Sequence, residues 1–486
     1  MKTCLGIDIG TTAIKIVLLD QDGNFLCSWS REHDLLSPAA GYAEEDPNIW
    51  EENLFALLRT AAKEIDVSAI AAIGLTGMVP TLIPLDERRR PLCNSIQQND
   101  IRAAAEIEEL KAKIDGPWFF RKTGNQVNQQ HIFPKLLWLK RHRKAVFLSM
   151  KHITGSYDYA GYLLTGNLHI ERNWALESGM YSLREERWLP EILELAEIGP
   201  EMLPPLIGYG GCRGALIRAA AERSGLHSGI PVYAGTADHI ASGFAAGAGK
   251  SGDLVFKLGG AADILLSSDE ALTDPRLFID YGCSREAPFV INGCTASSGS
   301  ILKWAKEEFN LPDFTVMDTR AYSIAPCSEG LTALPYFLGE KTPLFDIAAR
   351  GVFFGLSLSH GAAHIYRAIL EAIAYSLNHH IEIFRELNLP INRVFITNGG
   401  SKSKLWRQIT ADVTGFDLLY TGNNQGSSAG AALLAGMAAG IMDTETRLNG
   451  EEIPVIHDPA RHEQYLHGYA KYRNLYEKLR EFFPLL

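Results

Sequence analysis

The segment LGIDIGTTAIKIVLLDQDGNFL constrains the fold more than any other stretch of this chain. Apolar residues run from Cys4 to Ile9 and again from Ala13 to Leu19, which predicts two strands with a tight turn at Gly10; the DQDGN that follows is a hairpin signal. Asp8 and the two threonines interrupt this pattern where packing should continue. Strand, tight turn and strand leave several backbone N–H groups pointing into one concavity, where hydroxyls from Thr11 and Thr12 add donors for phosphate oxygens. A carboxylate at Asp8 can hold Mg²⁺ beside those phosphates. An ordinary β-turn with a surface aspartate accounts for the same residues equally well.

Downstream, PNIWEENLFALLRTAAKEI has helical spacing of Trp50, Leu54, Leu57 and Leu58, and AIAAIGLTGM reads as a short strand entering a glycine loop. PVYAGTADH and RVFITNGGSKS read as strands that stop at small polar residues. GDLVFKLGGAADILLSSDE repeats the opening layout without its residues, which predicts two related halves with a boundary inside GAGKSGD, giving domains 1–248 and 249–486. The 486 residues are too many for one core, and the alternation of apolar strands with charged helices is that of an α/β protein. EQYLHGYAKYRNLYEKLREFF is expected to form a helix packed on the second half.

A net charge of −11 with scattered Lys and Arg argues against nucleic-acid or anionic-membrane partners. Seven dispersed cysteines, none in a CxxC pair, suggest neither a disulfide framework nor a zinc site. With no signal-type N-terminus and no window of uninterrupted apolar residues long enough to span a bilayer, a cytoplasmic protein is expected.

Two tempting motifs fail on order and spacing. GAGKSG, Gly247 to Gly252, satisfies GxGxxG and ends like a phosphate loop, but a helix pattern precedes it and a strand pattern follows, the reverse of what phosphate binding needs. His360 and His364 stand four apart without an intervening glutamate or a third ligand, so a capping or surface role near a helix start is favoured over metal binding.

Other loops suit a nucleotide. Gly259 and Gly260 in KLGGAAD permit close backbone approach to phosphates, although taken alone a simple glycine turn is the favoured reading. In NGGSKSKLWRQITAD the loop Gly399 to Ser403, with Gly400 and Ser401, precedes a helix bearing Trp406 and Gln408. It suits a purine nucleoside and its phosphates, or is a packing turn with Ser401 as N-cap. Asp238, in PVYAGTADHIASG, follows a strand and opens a helix, as either a base in a cleft or an N-cap.

Together, GIDIGTT, GLTGM, NDIR, AGTADH, KLGG, LPYFLGEKTPLFDIAARGVFFGLSLSH, NGGSKSKLWRQITAD and GSSAGAALLAG resemble the FGGY family of carbohydrate kinases over nearly the whole chain. The resemblance implies two actin-like domains of RNase H type, with ATP and Mg²⁺ in a cleft that closes over a small-molecule sugar. It implies Asp238 as base and, with Asp8, as a metal contact. Gly10, Thr11, Thr12, Lys15, Gly259, Gly260, Gly399, Gly400, Ser401, Ser403 and Gln408 fall to the nucleotide, and Thr76, Gly77, Met78, Asp100, Arg102 and His239 to the sugar. Within the family the chain is most similar to xylulokinases, among whose relatives a homodimer is common. It departs from them at Val79 and Pro80 after Met78, at Gln98, at His239 where an asparagine is expected after the base, and at Gly260 in place of a threonine. A pentulose is the expected substrate, with D-xylulose first; a polyol such as glycerol or erythritol, or another ketose, is the alternative, and a non-catalytic sugar sensor is the rival of another class.

Overall fold

The computed structural model describes residues 1–422 and 424–486. The chain divides into two compact units. The first comprises Met1–Ala245, Ile279–Cys283 and Gln425–Asn449; the second comprises Ala246–Phe278, Ser284–Asn424 and Gly450–Leu486. The first crossing falls close to the expected turn, and by contact the chain returns twice to the first unit.

The first unit is built on one sheet of six strands: β1 (Thr3–Ile9), β2 (Ala13–Asp20), β3 (Phe25–Glu32), β4 (Ile70–Gly77), β5 (Cys212–Ala215) and β6 (Pro231–Ala237), in the order β5-β6-β4-β1-β2-β3. The opening segment forms the predicted strand, turn and strand: β1 is buried throughout, and β2 exposes only Lys15. β3 alternates half-buried and exposed residues before becoming wholly exposed, as an edge strand does. The hairpin between β2 and β3 closes on Asp20, whose Oδ1 accepts from the amides of Asp22 and Asn24, and on Gly23 at φ 84°, a left-handed position glycine occupies without steric cost.

β1, β4 and β6 are mutually parallel, and the helix Pro47–Glu64 connects the β2–β3 ribbon to β4. That helix starts at Asp46, whose side chain accepts from the Asn48 amide, with Pro47 at the first helical position. It buries Trp50, Leu54, Leu57 and Leu58, the stripe read from the sequence.

The other face of the sheet is covered by Ser427–Ala438, a helix of alanine, glycine, serine and leucine with one methionine. Strands and helix approach so closely that a Cβ on Gly6 would lie 1.8 Å from the Ser428 carbonyl oxygen, and one on Gly74 would lie 2.0 Å from that of Ala431. Gly430 brings the same helix against Asp238–Ala245, where an added Cβ would fall 2.0 Å from the Ala241 oxygen. By its contacts GSSAGAALLAG packs with the first unit.

The second unit repeats the plan. Its own strands β7 (Asp253–Leu258), β8 (Ala262–Ser268), β9 (Phe289–Thr295), β10 (Arg393–Thr397), β11 (Leu418–Thr421) and β12 (Glu452–Val455) run in the order β9-β8-β7-β10-β11-β12. As in the first unit, three antiparallel strands are followed by a run of parallel pairings that starts from the first strand: β7 with β10, then β10 with β11. The internal repeat read from KLGGAAD is thus a repeat of topology. Its core packs the long helix Ala362–Glu386 and the C-terminal helix Pro459–Leu479, the latter through Tyr465, Tyr469, Tyr472 and Tyr476.

The rejected motifs are accounted for. Asp253 accepts from the amides of Gly249 and Lys250 and is forked by Arg393, so GAGKSG is a turn tied down by its own aspartate. His364 Nδ1 accepts from the Gly361 amide at the start of its helix, and His360 Nδ1 from that of Ser357, the expected capping roles.

Candidate functional site

Strand register gathers the first unit's site. Gly77, the last residue of β4, pairs with Ile9 of β1 on one side and with Ala237 of β6 on the other. Asp8 precedes Ile9 and Asp238 follows Ala237, so both carboxylates stand at the carboxyl ends of parallel strands in one sheet, separated by a single strand. Strand spacing puts their backbones roughly 10 Å apart. Ligands of open α/β sheets gather at such carboxyl edges.

Asp8 is only 7% exposed, and its Oδ2 accepts from Ser427 Oγ at 2.6 Å, so the returning helix holds it. Lys15 lies across from Asp8 in the β1–β2 ladder and is exposed. The turn between them is narrow: the Gly10 amide donates to the Ala13 carbonyl at 3.1 Å, while Thr12 is exposed and Thr11 half-buried. His33 Nε2 lies 3.0 Å from the Gly10 carbonyl oxygen and 2.9 Å from Glu45 Oε2, bracing the turn from outside.

Asp238 opens the helix Asp238–Ala245 with about a third of its side chain exposed. His239 turns Nδ1 toward Asp238 Oδ1 at 3.5 Å and Nε2 toward Asp280 Oδ2 at 3.1 Å. Glu177 completes the group, with one donor atom from each of Glu177, His239 and Asp280 lying within 4.8 Å of the others. Burial opposes a charged imidazole, but hydrogen bonds to Asp238 and Asp280 and the charges of Asp280 and Glu177 outweigh it and raise His239 well above its usual range. Burial, then the Asp280 charge, push the Glu177 carboxyl well above normal.

Glu177 and Asp280 are delivered by a polar scaffold. Asn173, fully buried, donates from Nδ2 to Thr236 Oγ1 and to the Tyr281 carbonyl, and its Oδ1 accepts the Tyr281 amide at 2.7 Å. One side chain thereby pins Ile279–Cys283 against β6. The helix Arg172–Glu177 that carries both Asn173 and Glu177 is capped by Glu171, which also accepts from Tyr157 OH at 2.9 Å. Behind it lies the wholly buried pair Arg213 and Asp158 at 2.6 Å.

Burial and the neighbouring Asp158 raise the Glu171 carboxyl from 4.5 to about 8. An acid whose folded pKa is raised stabilises the fold fully below its unfolded pKa and loses that contribution as pH climbs to the folded value. Stability is therefore expected to fall between pH 4.5 and about 8. Urea titrations of wild type and Glu171→Gln across that window should diverge by a few kcal/mol, the variant being flatter; parallel profiles would remove Glu171 from the role.

The other sugar-side residues are less available than expected. Thr76 is buried with its hydroxyl donating to the Thr236 carbonyl at 2.5 Å, and Met78 is 1% exposed. Gly77 is close-packed, a Cβ there falling 2.8 Å from the Ile9 oxygen. Asp100 accepts from the Ala43 amide and from Arg102 Nε and NH2, while Arg102 also reaches Glu44 at 2.8 Å and lies against Tyr42 and Trp138. This pair clamps the loop around Tyr42. Where Asp100 and Arg102 were expected to face a sugar, the structure shows them paired with one another.

In the second unit, the carbonyl of Gly260 accepts from the amides of Ser298 and Ser300 and from Ser300 Oγ, so the start of the helix Gly299–Glu308 braces the β7–β8 turn. A Cβ on Gly260 or on Gly399 would meet nothing within 4 Å, whereas one on Gly400 would strike Trp406 at 2.5 Å. Gly260 and Gly399 line open space; Gly400 is a packing glycine. Ser403, not Ser401, caps the helix Lys404–Thr414, accepting from the Trp406 amide, while Ser401 Oγ donates to the Asn398 carbonyl. Gln408 spends its amide on Asp412 and the Ile456 carbonyl.

Three site residues escaped the sequence reading: Ser427, Glu177 and Asp280. Asp280 carried a usable signal, since LFIDYG sets an aspartate inside an apolar strand as GIDIG does. Among the described residues no helix is long and apolar enough to cross a membrane.

Residues 3–245 match the FGGY family of carbohydrate kinases, N-terminal domain, and residues 276–439 its C-terminal domain. The chain is 30% identical over 450 residues to a xylulose kinase of Bacillus subtilis, covering 91% of this chain and 90% of that one. It is 28% identical over 455 residues to a gluconokinase of the same organism, covering 90% and 88%. A crystal structure of xylulose kinase from Rhodospirillum rubrum superposes with a TM-score of 0.89 at 38% identity, covering 99% of this chain and 100% of that one.

Proposed function

Because this chain belongs to the FGGY family of carbohydrate kinases, we propose that it transfers the γ-phosphoryl group of ATP to a hydroxyl of a ketopentose, xylulose first, with Asp238 as general base. The observation that carries this reading is the shared register of Asp8 and Asp238 through Gly77, which sets two carboxylates on one sheet edge. The residues fit the implied cofactors. Carboxylate oxygens at Asp8 and Asp238 suit a hard cation such as Mg²⁺, and the open faces of Gly260 and Gly399 leave room for phosphates to approach the backbone. When bound, Mg²⁺ would offset the charge on the phosphate oxygens of ATP.

The rest of the chemistry falls to side chains. Asp238, partly exposed and fixed at the end of β6, takes the proton of the attacking hydroxyl. Asp8, restrained by Ser427, keeps its carboxylate aimed without needing to reorganise. Thr11, Thr12 and Lys15 supply donors and a positive charge on the nucleotide side. Sugar positioning is assigned to the backbone around Gly77, while His239, whose ring Asp280 fixes, orients Asp238.

The test is a panel of D-xylulose, L-xylulose, ribulose, glycerol, erythritol and gluconate, with coupled detection of ADP and location of the phosphate on any sugar consumed. The ketopentoses should give the highest kcat/KM. A preference for gluconate or a polyol would overturn the substrate, and ATP binding with no phosphorylated product would overturn the reaction.

A further inference from the structure

We propose that Glu177, His239 and Asp280 form a binding site for a divalent transition-metal ion, separate from the cation that accompanies ATP. The three residues come from three segments: the end of the helix Arg172–Glu177, the first turn of Asp238–Ala245, and Ile279–Cys283. One donor atom of each lies within 4.8 Å of the others, close enough for a single ion to bridge them. One imidazole and two carboxylates form a mixed nitrogen and oxygen set, which favours Zn²⁺ or Mn²⁺; Mg²⁺ keeps to oxygen.

Two further observations point to a ligand. Glu177 Oε1 is sealed from solvent and accepts no hydrogen bond, a costly state for a carboxylate oxygen that a bound cation would relieve. His239 also has the orientation of a metal-bound histidine: Nε2 faces Asp280 and Nδ1 faces the Asp238 carboxylate, the outer partner that fixes tautomer and ring plane in carboxylate–histidine–metal arrangements. The scaffold is rigid, because Asn173 ties the segment bearing Asp280 to β6 and lies on the same short helix as Glu177. An ion at Nε2 would hold Nδ1–H toward Asp238, so the site would orient the base.

The experiment uses the full chain without nucleotide or sugar, which separates its outcome from that of the kinase assay. Mn²⁺ binding is followed by the loss of the free-ion electron paramagnetic resonance signal, and Zn²⁺ binding by competition with a chromophoric chelator. One ion per chain is expected. Glu177→Gln and Asp280→Asn should each weaken binding by about 10-fold or more, and His239→Asn should abolish it. Asp8→Asn should leave it unchanged. Thermal melts accompany every variant, and Zn²⁺ should raise the melting temperature of wild type but not of His239→Asn. Wild-type protein that binds neither ion at millimolar concentration, or variants at Glu177 and Asp280 that fold and bind as wild type does, would overturn the site.

Discussion

Asp238→Asn is expected to lower turnover by about 10²–10⁴-fold, the usual contribution of a positioned general base. The substitution keeps the side chain's shape and removes its capacity to take a proton. Helix Asp238–Ala245 begins at this residue, and its remaining contacts through Gly430 are backbone packing that an amide does not disturb. Nucleotide affinity, measured by calorimetry, should therefore stay near the wild-type value while kcat collapses, the pattern of an interaction made in the transition state. A variant with near-normal kcat would exclude Asp238 as the base; a variant that lost nucleotide binding as well would mean that the carboxylate serves the cofactor before it serves the hydroxyl.

The largest effect on stability is expected at Gly6. A valine there must displace the Ser428 carbonyl, 1.8 Å from where its Cβ would sit, and that atom belongs to a helix backbone with no rotamer to change. The helix Ser427–Ala438 also meets Gly74 and, on the neighbouring helix, the Ala241 carbonyl facing Gly430, so it cannot shift away at one point alone. Gly6→Val should cost about 4 kcal/mol or more and yield little folded protein. Gly260→Ala is the matched control: its Cβ meets nothing, and stability should change by less than about 0.5 kcal/mol. Denaturant melts compare the two, and a Gly6→Val chain as stable as wild type would show that helix and strand can separate at no cost.

How far the sequence could be read depended on whether the informative contacts were local. The strands around Gly10, the helix that buries Trp50 and Leu58, and the repeated layout at Gly259 all follow from period and turn chemistry within some twenty residues. Asp8 and Asp238 stood out because carboxylates at strand ends are anomalous in apolar surroundings. For Asp100 and Arg102 a motif names residue types and not their partners: two charges separated by one residue can face a ligand or each other, and Arg102 forks onto Asp100. Ser401 lost the cap to Ser403 for a comparable reason, since either serine satisfies the pattern and the amide of Trp406 chooses. Asp280 carried a local signal in LFIDYG, but its grouping with Glu177 lay beyond reach because only folding brings residues about a hundred positions apart to one imidazole.

The bond between Ser427 and Asp8 links positions 419 residues apart. During translation at about 5–20 residues per second, the nascent chain completes β1 and β4 and then waits tens of seconds for the segment that will cover Gly6 and Gly74. Throughout that interval the strand face at Gly6 and Gly74 lacks the helix that will cover it, so this layer is completed only after the C-terminal segment has emerged.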